Sequence, residues 1–326
     1  MEPTLIRMLS TGRVGTKFVA AVFADQGYQA FHENLYEGEP SSAIIQYVRM
    51  LGDLWKGDKD RYFSLQSDFA RPYLDAVLEN LDSKKNSARS FLKGIFRQPD
   101  ARKFESVVIH TGHRLTAATP LIEREAKKQG LSVKTLILFR NPLKTIHAIY
   151  TVESPSSAWG GPYHNWPSSF FSDVGFNGAA EIWANTYLMA HDQMTRLAGN
   201  EWRFLSLEKF NSSEDYVQNV FDFVDLQIDL GKFNAFVQRI ANQPLRTSKT
   251  DSARNSDIFH NAQFYFSDEQ ITEIHSRVKE AISVYELDWQ QIVHEYKVFH
   301  EQEKQQMGLS KAQFSETGSR TSELER

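Results

Sequence analysis

The stretch that decides the fold is Leu5-Ile6-Arg7-Met8-Leu9, which continues into Ser10-Thr11-Gly12-Arg13-Val14-Gly15-Thr16-Lys17. The first part is a short apolar run, and the apolar residues after it, up to Phe23, recur at helical spacing. The segment therefore predicts a strand, a glycine-bearing turn and a helix, which is the opening of a parallel α/β sheet. Backbone N–H groups and the helix dipole at such a helix start favour a bound anion.

The two glycines by themselves are equally typical of an ordinary strand-to-helix connection. A Walker A loop has four residues between its glycines before Gly-Lys-Ser/Thr. Here two residues separate Gly12 from Gly15, and an aromatic residue follows Lys17, so the magnesium-binding hydroxyl is missing. The predicted strand ends at His110 and Arg140 also lack the aspartate with which an ATPase holds its metal.

Four further apolar runs predict the rest of the sheet, at residues 28–32, 106–109, 133–139 and 203–207. Helical patterns lie between and after these runs, so we predict an α/β fold with a roughly five-stranded parallel sheet flanked by helices. One domain is expected over residues 1–299. Residues 300–326 are polar with few apolar anchors, which predicts a partly disordered tail.

Composition excludes several classes of function. The chain has 326 residues, with 37 Lys and Arg against 41 Asp and Glu, so no global positive field exists to hold nucleic acid. It has no cysteine, which excludes a disulfide framework, thiolate zinc and a cysteine nucleophile. No apolar run approaches the roughly 18 residues of a membrane span, and no signal-peptide pattern follows Met1, so a cytoplasmic location is expected.

The second informative motif is Arg140-Asn141-Pro142, which follows the apolar run 136–139. Proline is favoured in the first turn of a helix, so a helix is predicted to begin there. An arginine at the carboxyl end of a parallel strand lies at the ligand crevice, and its forked guanidinium suits phosphate. A surface arginine that caps a neighbouring helix is an equal alternative for this residue alone.

Together the two motifs resemble the sulfotransferase superfamily, which uses 3′-phosphoadenosine 5′-phosphosulfate (PAPS) as donor and releases 3′-phosphoadenosine 5′-phosphate (PAP). Residues 11–18 resemble its 5′-phosphosulfate loop, and residues 136–142 resemble its 3′-phosphate motif. Residues 202–210 and 264–289 are similar to the family's late strand and C-terminal helix. The resemblance implies a P-loop NTPase-like three-layer sandwich and a PAPS-dependent enzyme of the bacterial and carbohydrate or protein-tyrosine branches.

The chain departs from the family pattern at several positions. Val14 stands where the loop usually has serine, and Lys17 replaces its second threonine. Ala148 stands where a serine is expected, eight residues beyond the motif's arginine. Thr145, one helical turn earlier on the same face, would supply a substitute hydroxyl. Further on, Lys249 would cover the nucleotide, although a solvated loop is an equal alternative for its segment.

The resemblance implies a donor site built mainly from the first loop, without a metal. The loop N–H groups would cradle the 5′-phosphate, and Arg13 would stabilise the leaving group. The residues assigned to donor binding are Gly12, Arg13, Val14, Gly15, Thr16, Lys17, Phe18, Arg140, Thr145, Ala148 and Lys249.

Candidates for the catalytic base lie at the ends of the second and third strands. Glu33 stands twenty residues after Arg13, where protein-tyrosine and some bacterial sulfotransferases place a glutamate base. His32 is its neighbour, but consecutive residues of an extended segment face opposite ways, and we prefer Glu33. His113 would contact donor or acceptor, although it and His110 equally fit polar groups satisfied by hydrogen bonds. Alternatively, His32 and Glu33 are both ordinary loop residues.

Two segments bear on the acceptor. Residues 154–178 form a long aromatic-rich stretch, interpreted as an acceptor loop or lid that suits sugar rings or hydrophobic alcohols, or else as a loop packed over the sheet edge. Basic residues recur every four positions from Lys85 to Arg97, which would orient an anionic acceptor or simply form a solvated helix face.

The sequence thus predicts in-line transfer of a sulfuryl group from PAPS to a hydroxyl of a carbohydrate or small-molecule acceptor, with a carboxylate base. One alternative is a small-molecule kinase, which would require magnesium and ATP. Another is a noncatalytic nucleotide-binding homologue, an interpretation that Val14 and Ala148 favour.

Overall fold

Five parallel strands form the centre of the molecule. The computed structural model describes residues 3–32, 42–65, 70–82, 107–111, 113–152, 163–197, 201–241 and 265–306. The strands are β1 (Thr4–Leu9), β2 (Gln29–Phe31), β3 (Val107–His110), β4 (Ser132–Phe139) and β5 (Glu201–Ser206). Their order is β2-β3-β1-β4-β5, and every ladder is parallel. The predicted α/β class with a five-stranded parallel sheet is confirmed.

Helices cover both faces of this sheet. They are α1 (Thr16–Asp25), α2 (Ser42–Gly57), α3 (Lys59–Ser64), α4 (Ala70–Asp82), α5 (Thr119–Lys128), α6 (Pro142–Val152), α7 (Phe176–Arg196), α8 (Leu207–Ser212), α9 (Glu214–Phe223), α10 (Leu230–Ala241), α11 (Asp268–Val284) and α12 (Trp289–Gln306). Short 3-10 helices span His113–Ala118 and Ser168–Phe170. Helix α12 runs into the segment 300–326 that the sequence assigned to a polar tail, and residues beyond 306 lie outside the described part.

The sheet separates two apolar cores, because successive side chains of a strand point to opposite faces. In β1, Leu5 and Leu9 belong to the core that contains helices α2, α4 to α7, α11 and α12. Ile6 and Met8 belong to the core that contains α1, α9 and α10. A strand buried on both faces must be apolar at nearly every position, which is why β1 was recognisable in the sequence.

The strand order creates a crevice at the carboxyl edge of the sheet. Strand β1 lies between β3 and β4. The helix that follows β1 packs on one face, whereas the helix that follows β4 packs on the other. Connections that leave neighbouring strands toward opposite faces open a cleft between them, and ligands of open α/β sheets bind in such clefts. The loops after β1 and β4 carry the two motifs singled out from the sequence.

Among the described residues, no helix is both long enough and apolar enough to span a membrane.

Candidate functional site

The loop between β1 and α1 turns through left-handed backbone positions. Gly12, Arg13 and Gly15 have φ angles of 74°, 59° and 86°. Gly15 is the N-cap of α1 and supplies no side-chain cap to its first turn. The first N–H groups of a helix have no partner within the helix, and backbone that alternates between right- and left-handed conformations turns such groups toward one concave side. The loop therefore has the local geometry of an anion cradle.

A side chain at Gly15 would not fit. A Cβ atom built on this residue would lie 2.8 Å from Cδ2 of Leu207, at the start of α8. Leu207 directly follows β5, so α8 packs against the cradle from the far side of β4. Glycine is thus required here both for its positive φ and for the close approach of α8.

The side chains of the loop divide into exposed cations and buried residues. Arg13 and Lys17 are exposed. Thr16 is buried, and Val14 is fully buried in the core on the α1 side of the sheet. Phe18 packs there too, with its ring 6.4 Å from that of Phe210. Val14 and Phe18 were assigned to donor binding, but the structure uses their side chains to anchor the loop.

Arg140 lies directly after β4, beside this cradle. Its Nη1 donates a hydrogen bond to the backbone carbonyl of Arg13 over 3.4 Å. The side chain is half-buried. The structure therefore brings together the two motifs that lie 127 positions apart in the sequence.

Asn141 fixes the turn that presents this arginine. The residue is buried, and its backbone N–H donates to Oε1 of Glu208 over 2.9 Å. Its side-chain Nδ2 donates to the carbonyl of Ile292 over 2.9 Å and to Oε2 of Glu295 over 3.3 Å. Helices α8 and α12 thus hold the turn from two sides. The sequence analysis assigned no role to Glu208.

Thr145 and Ala148 lie on α6, the helix that follows Arg140. Thr145 is fully buried, and its Oγ1 donates to the carbonyl of Asn141 over 3.2 Å. Ala148 is half-buried. The roles expected for Thr145 and Ala148 at a 3′-phosphate stay predictions.

His32 ends β2 at the same edge of the sheet. It is buried, and its Nδ1 lies 3.1 Å from Oγ1 of Thr111, which follows β3. The Thr111 hydroxyl also lies within donating distance, 3.4 Å, of the carbonyl of Phe31. If Thr111 donates to that carbonyl, its oxygen accepts from Nδ1 of His32, which leaves Nε2 as the basic nitrogen. Glu33 lies outside the described residues, so its role as base stays a prediction.

For most of the other site residues predicted from the sequence, the side chain or the whole residue lies outside the described part of the chain. His113 begins the 3-10 helix that follows β3, and its side chain lies outside the described part. His110 is buried within β3. Lys249 and the basic stripe from Lys85 to Arg97 also lie outside the described residues.

The described half of the aromatic stretch is part of the core. Tyr163 and Phe170 are buried, and the Phe170 ring contacts Trp55 of α2 with ring centroids 5.6 Å apart. Asn185 of α7 donates to the carbonyl of Phe170 over 2.9 Å. Tyr163 and Phe170 thus pack into the core, and the interpretation of residues 154–178 as an acceptor loop or lid stays a prediction. Residues 153–162 lie outside the described part.

A cavity of about 550 Å³ lies at the opposite end of the sheet, where β4 and β5 begin. Its lining includes Pro120, Glu123, Arg124, Lys127, Leu131, Ser132, Val133, Arg196, Leu197 and Glu201. Arg124 donates to the carbonyls of Phe63 and Leu65, and Arg196 pairs with Asp60. The arginines of this cavity already bind carbonyl or carboxylate oxygens of the protein. The cavity also lies at the opposite end of the sheet from the two motifs, so we do not assign the anion site to it.

Glu123 in this lining is buried, and burial raises its pKa to about 7 despite the opposing influence of Arg7. Thr135 Oγ1 donates to its carboxyl group over 3.2 Å.

No cluster of three or more His, Cys, Asp or Glu residues suited to a metal ion occurs in the described part of the chain. The candidate site combines the backbone N–H groups of the loop with the cations Arg13, Lys17 and Arg140.

The chain is similar in structure to a known protein. No protein-family model matches this chain, and no curated protein matches it. Among solved structures, the chain is similar to the sulfotransferase domain from the Synechococcus PCC 7002 olefin synthase, with 10% sequence identity and a TM-score of 0.40. The match covers 79% of this chain and 94% of that chain.

Proposed function

We propose that this chain is a sulfotransferase that moves a sulfuryl group from PAPS to a hydroxyl of a carbohydrate or small-molecule acceptor. The observation that carries the proposal is the hydrogen bond from Arg140 to the carbonyl of Arg13. It joins the loop that resembles the 5′-phosphosulfate site to the strand end that resembles the 3′-phosphate site. Both features lie at the carboxyl edge of the sheet. A donor that carries a phosphate group at its 3′ position and another at its 5′ position would contact both of them.

The 5′ end of the donor would lie against the cradle. N–H groups of the first turn of α1, which begins at Thr16, would bind the phosphosulfate oxygens. The left-handed conformations of Gly12, Arg13 and Gly15 form the concave backbone that this requires. The exposed cations Arg13 and Lys17 would balance the charge that collects on the departing phosphate.

The 3′ phosphate would lie against Arg140. Its guanidinium presents several donors in a fixed plane, which suits a phosphate better than a single ammonium group does. The anchored Asn141 supports this orientation, because its contacts with Glu208 and α12 restrict the turn.

The chemical step requires a base for the acceptor hydroxyl. The acceptor oxygen bonds to sulfur as the bond from sulfur to the 5′-phosphate oxygen breaks, and PAP leaves with that electron pair. The acceptor proton goes to Glu33 in this proposal, with His32 as the second candidate. The hydrogen-bonding pattern at Thr111 fits a basic Nε2 on His32.

The test is calorimetric titration of the full chain with PAP and, separately, with ATP plus magnesium. We expect PAP to bind and Arg140→Ala to weaken this binding at least tenfold. The matched control is Arg277→Ala, because Arg277 is also partly exposed but pairs with Glu181 on the surface of α7.

Preference for magnesium and ATP would contradict the proposal and favour a kinase. Binding of neither ligand would also contradict it. An equal loss of PAP affinity in Arg140→Ala and Arg277→Ala would remove the assignment of Arg140.

A further inference from the structure

The glycine turn is connected to the interior through the 3-10 helix His113–Ala118. Thr116 in this helix is buried, with 4% of its surface exposed. Its Oγ1 donates to the backbone carbonyl of Ser10 over 3.2 Å, at the point where β1 passes into the loop. Ser10 Oγ in turn accepts the N–H of Gly12 over 3.1 Å. The Thr116 hydroxyl therefore fixes the residue that shapes the first left-handed position of the turn.

Thr116 is itself held firmly. Its own carbonyl accepts two hydrogen bonds, from Oγ1 of Thr119 over 2.7 Å and from Nε2 of Gln193 over 3.0 Å. A carbonyl oxygen has two lone pairs, and both are used. The position of the Thr116 side chain is thus set by residues of α5 and α7.

The next partners belong to three different elements. Arg7, buried in β1, donates from Nη2 to Oγ1 of Thr119 over 3.3 Å. Gln193 also donates to Oη of Tyr62 over 2.7 Å, and Tyr62 donates to the carbonyl of Ala117 over 2.8 Å. The hydroxyls of Thr116, Thr119 and Tyr62 each donate one hydrogen bond. Those of Thr119 and Tyr62 also accept one each, so no hydroxyl is required to donate twice. The hydrogen bonds along this path order the groups around Thr116, whereas Nη1 of Arg7 and Oε1 of Gln193 are buried without a hydrogen-bond partner.

We infer that Thr116 is a positioning residue for the anion cradle, which it holds in its binding conformation through Ser10. This inference rests on the proposed donor site. The left-handed conformation at Arg13 is unfavourable for an isolated chain, whereas glycine adopts the conformation of Gly12 without steric cost. A loop that the protein interior already holds in this conformation loses little conformational freedom when the anion binds, and affinity rises accordingly.

The test compares Thr116→Val, which removes the hydroxyl but keeps the branched shape, with Thr116→Ser, which keeps the hydroxyl. The matched control is Thr186→Val. Thr186 is equally buried, at 4%, and its hydroxyl also donates to a carbonyl, that of Ile182 within α7. PAP affinity, the free energy of unfolding and amide hydrogen exchange at Gly12 are measured for each protein.

We expect Thr116→Val to weaken PAP binding at least fivefold and to speed exchange at Gly12 at least tenfold. Thr116→Ser and Thr186→Val should stay within twofold of the parent in both measurements. If Thr116→Val loses stability yet keeps parental affinity and Gly12 exchange, the residue is merely structural and the inference is wrong.

Failure of the proposed function has a different signature. A parent protein that binds no PAP contradicts the donor assignment. Exchange at Gly12 then decides the positioning role of Thr116, because it reports the hydrogen bond to Ser10 Oγ without any ligand.

Discussion

Nη1 of Arg140 donates to the backbone carbonyl of Arg13 over 3.4 Å, and this hydrogen bond links the ends of the neighbouring strands β4 and β1. The carbonyl belongs to a residue whose φ is 59°, so the same bond supports an uncommon backbone conformation. Arg140 therefore has two connected tasks, to shape the cradle and to add positive charge beside it.

The first prediction concerns the shape of this cation. Arg140→Lys keeps the charge but loses the planar fork, so PAP affinity should fall about tenfold, or about 1.4 kcal/mol. Calorimetric titration measures the change. Arg277→Lys, at the surface ion pair with Glu181, should leave the affinity unchanged. Parental affinity in Arg140→Lys would mean that charge alone matters at this position.

The second prediction concerns the close approach at Gly15. Gly15→Ala combines a positive φ with a Cβ placed 2.8 Å from Leu207, and both effects destabilise the native state. We expect the free energy of unfolding to fall by about 2 kcal/mol or more. PAP binding should be lost as well, because the N–H groups of the cradle move. Urea unfolding and titration measure the two effects.

Gly130→Ala is the matched control. Gly130 has a similar φ of 72°, but a Cβ there meets nothing within 4 Å. The free energy of unfolding of Gly130→Ala should fall by about 1 kcal/mol, because backbone strain alone acts there. Equal losses in the two variants would show that the contact with Leu207 carries no energy.

The third prediction concerns the choice of asparagine in the turn. Asn141→Asp keeps the size of the side chain but removes the donor to the carbonyl of Ile292 and places a carboxylate beside Glu295. The N–H of Lys144 still donates to Oδ1 of the new carboxylate, but the oxygen that replaces Nδ2 faces the carbonyl of Ile292 and the carboxylate of Glu295. Stability at pH 8 should fall by about 2 kcal/mol, because this buried oxygen lacks a donor and faces a like charge.

A double-mutant cycle with Glu295→Gln tests the cause. The amide that Glu295→Gln introduces can donate to the new carboxylate, so Asn141→Asp should cost less in this background. An unchanged cost would show that repulsion from Glu295 plays no part.

The fourth prediction concerns pH. Burial raises the pKa of Glu123 to about 7 in the native state, above its ordinary value of 4.5. Between these two values the native state binds more protons than the unfolded state, so the free energy of unfolding falls as pH rises. The loss between pH 5 and pH 8 should be about 1–3 kcal/mol.

Glu123→Gln removes this titration while keeping an acceptor for Thr135. In urea unfolding, the free energy of unfolding of the variant should equal that of the parent near pH 5 and exceed it at pH 8. Glu280→Gln, at an exposed position of α11, should follow the parent at both values. If Glu123→Gln is instead less stable than the parent at pH 8, the carboxylate is ionised there and stabilised by Arg7.

The strands were predictable because their signal is local. Residues 133–139 form a mainly apolar run that corresponds to β4, because a strand covered on both faces is apolar at most positions. Residues 203–207 correspond to β5, an edge strand that is only partly buried. The long helix α7 was visible for a similar reason, in the helical spacing of Trp183 and Tyr187. Residues 163–178 left two interpretations open, because aromatic residues in a loop look alike whether they line a site or pack beneath it.

Charged and polar residues inside apolar segments were the least predictable. Arg7 stands within the first strand, and the sequence offers no sign that Thr119 and the carbonyl of Leu115 accept its hydrogen bonds. Thr145 has the correct helical spacing for a phosphate ligand, yet its hydroxyl bonds within its own helix. The spacing of residues determines which face of a helix they share, but not whether that face meets a ligand or the protein interior.

The sequence by itself determined the class of the fold and the position of the two motifs at strand ends, because strand burial, helix starts and glycine turns depend on neighbours a few residues away. The tertiary structure decided what depends on distant residues. The order of the strands places Arg140 against Arg13, and the packing of α8 leaves no room for a side chain at Gly15. Such contacts join residues more than a hundred positions apart, so only the packing of the folded chain defines them.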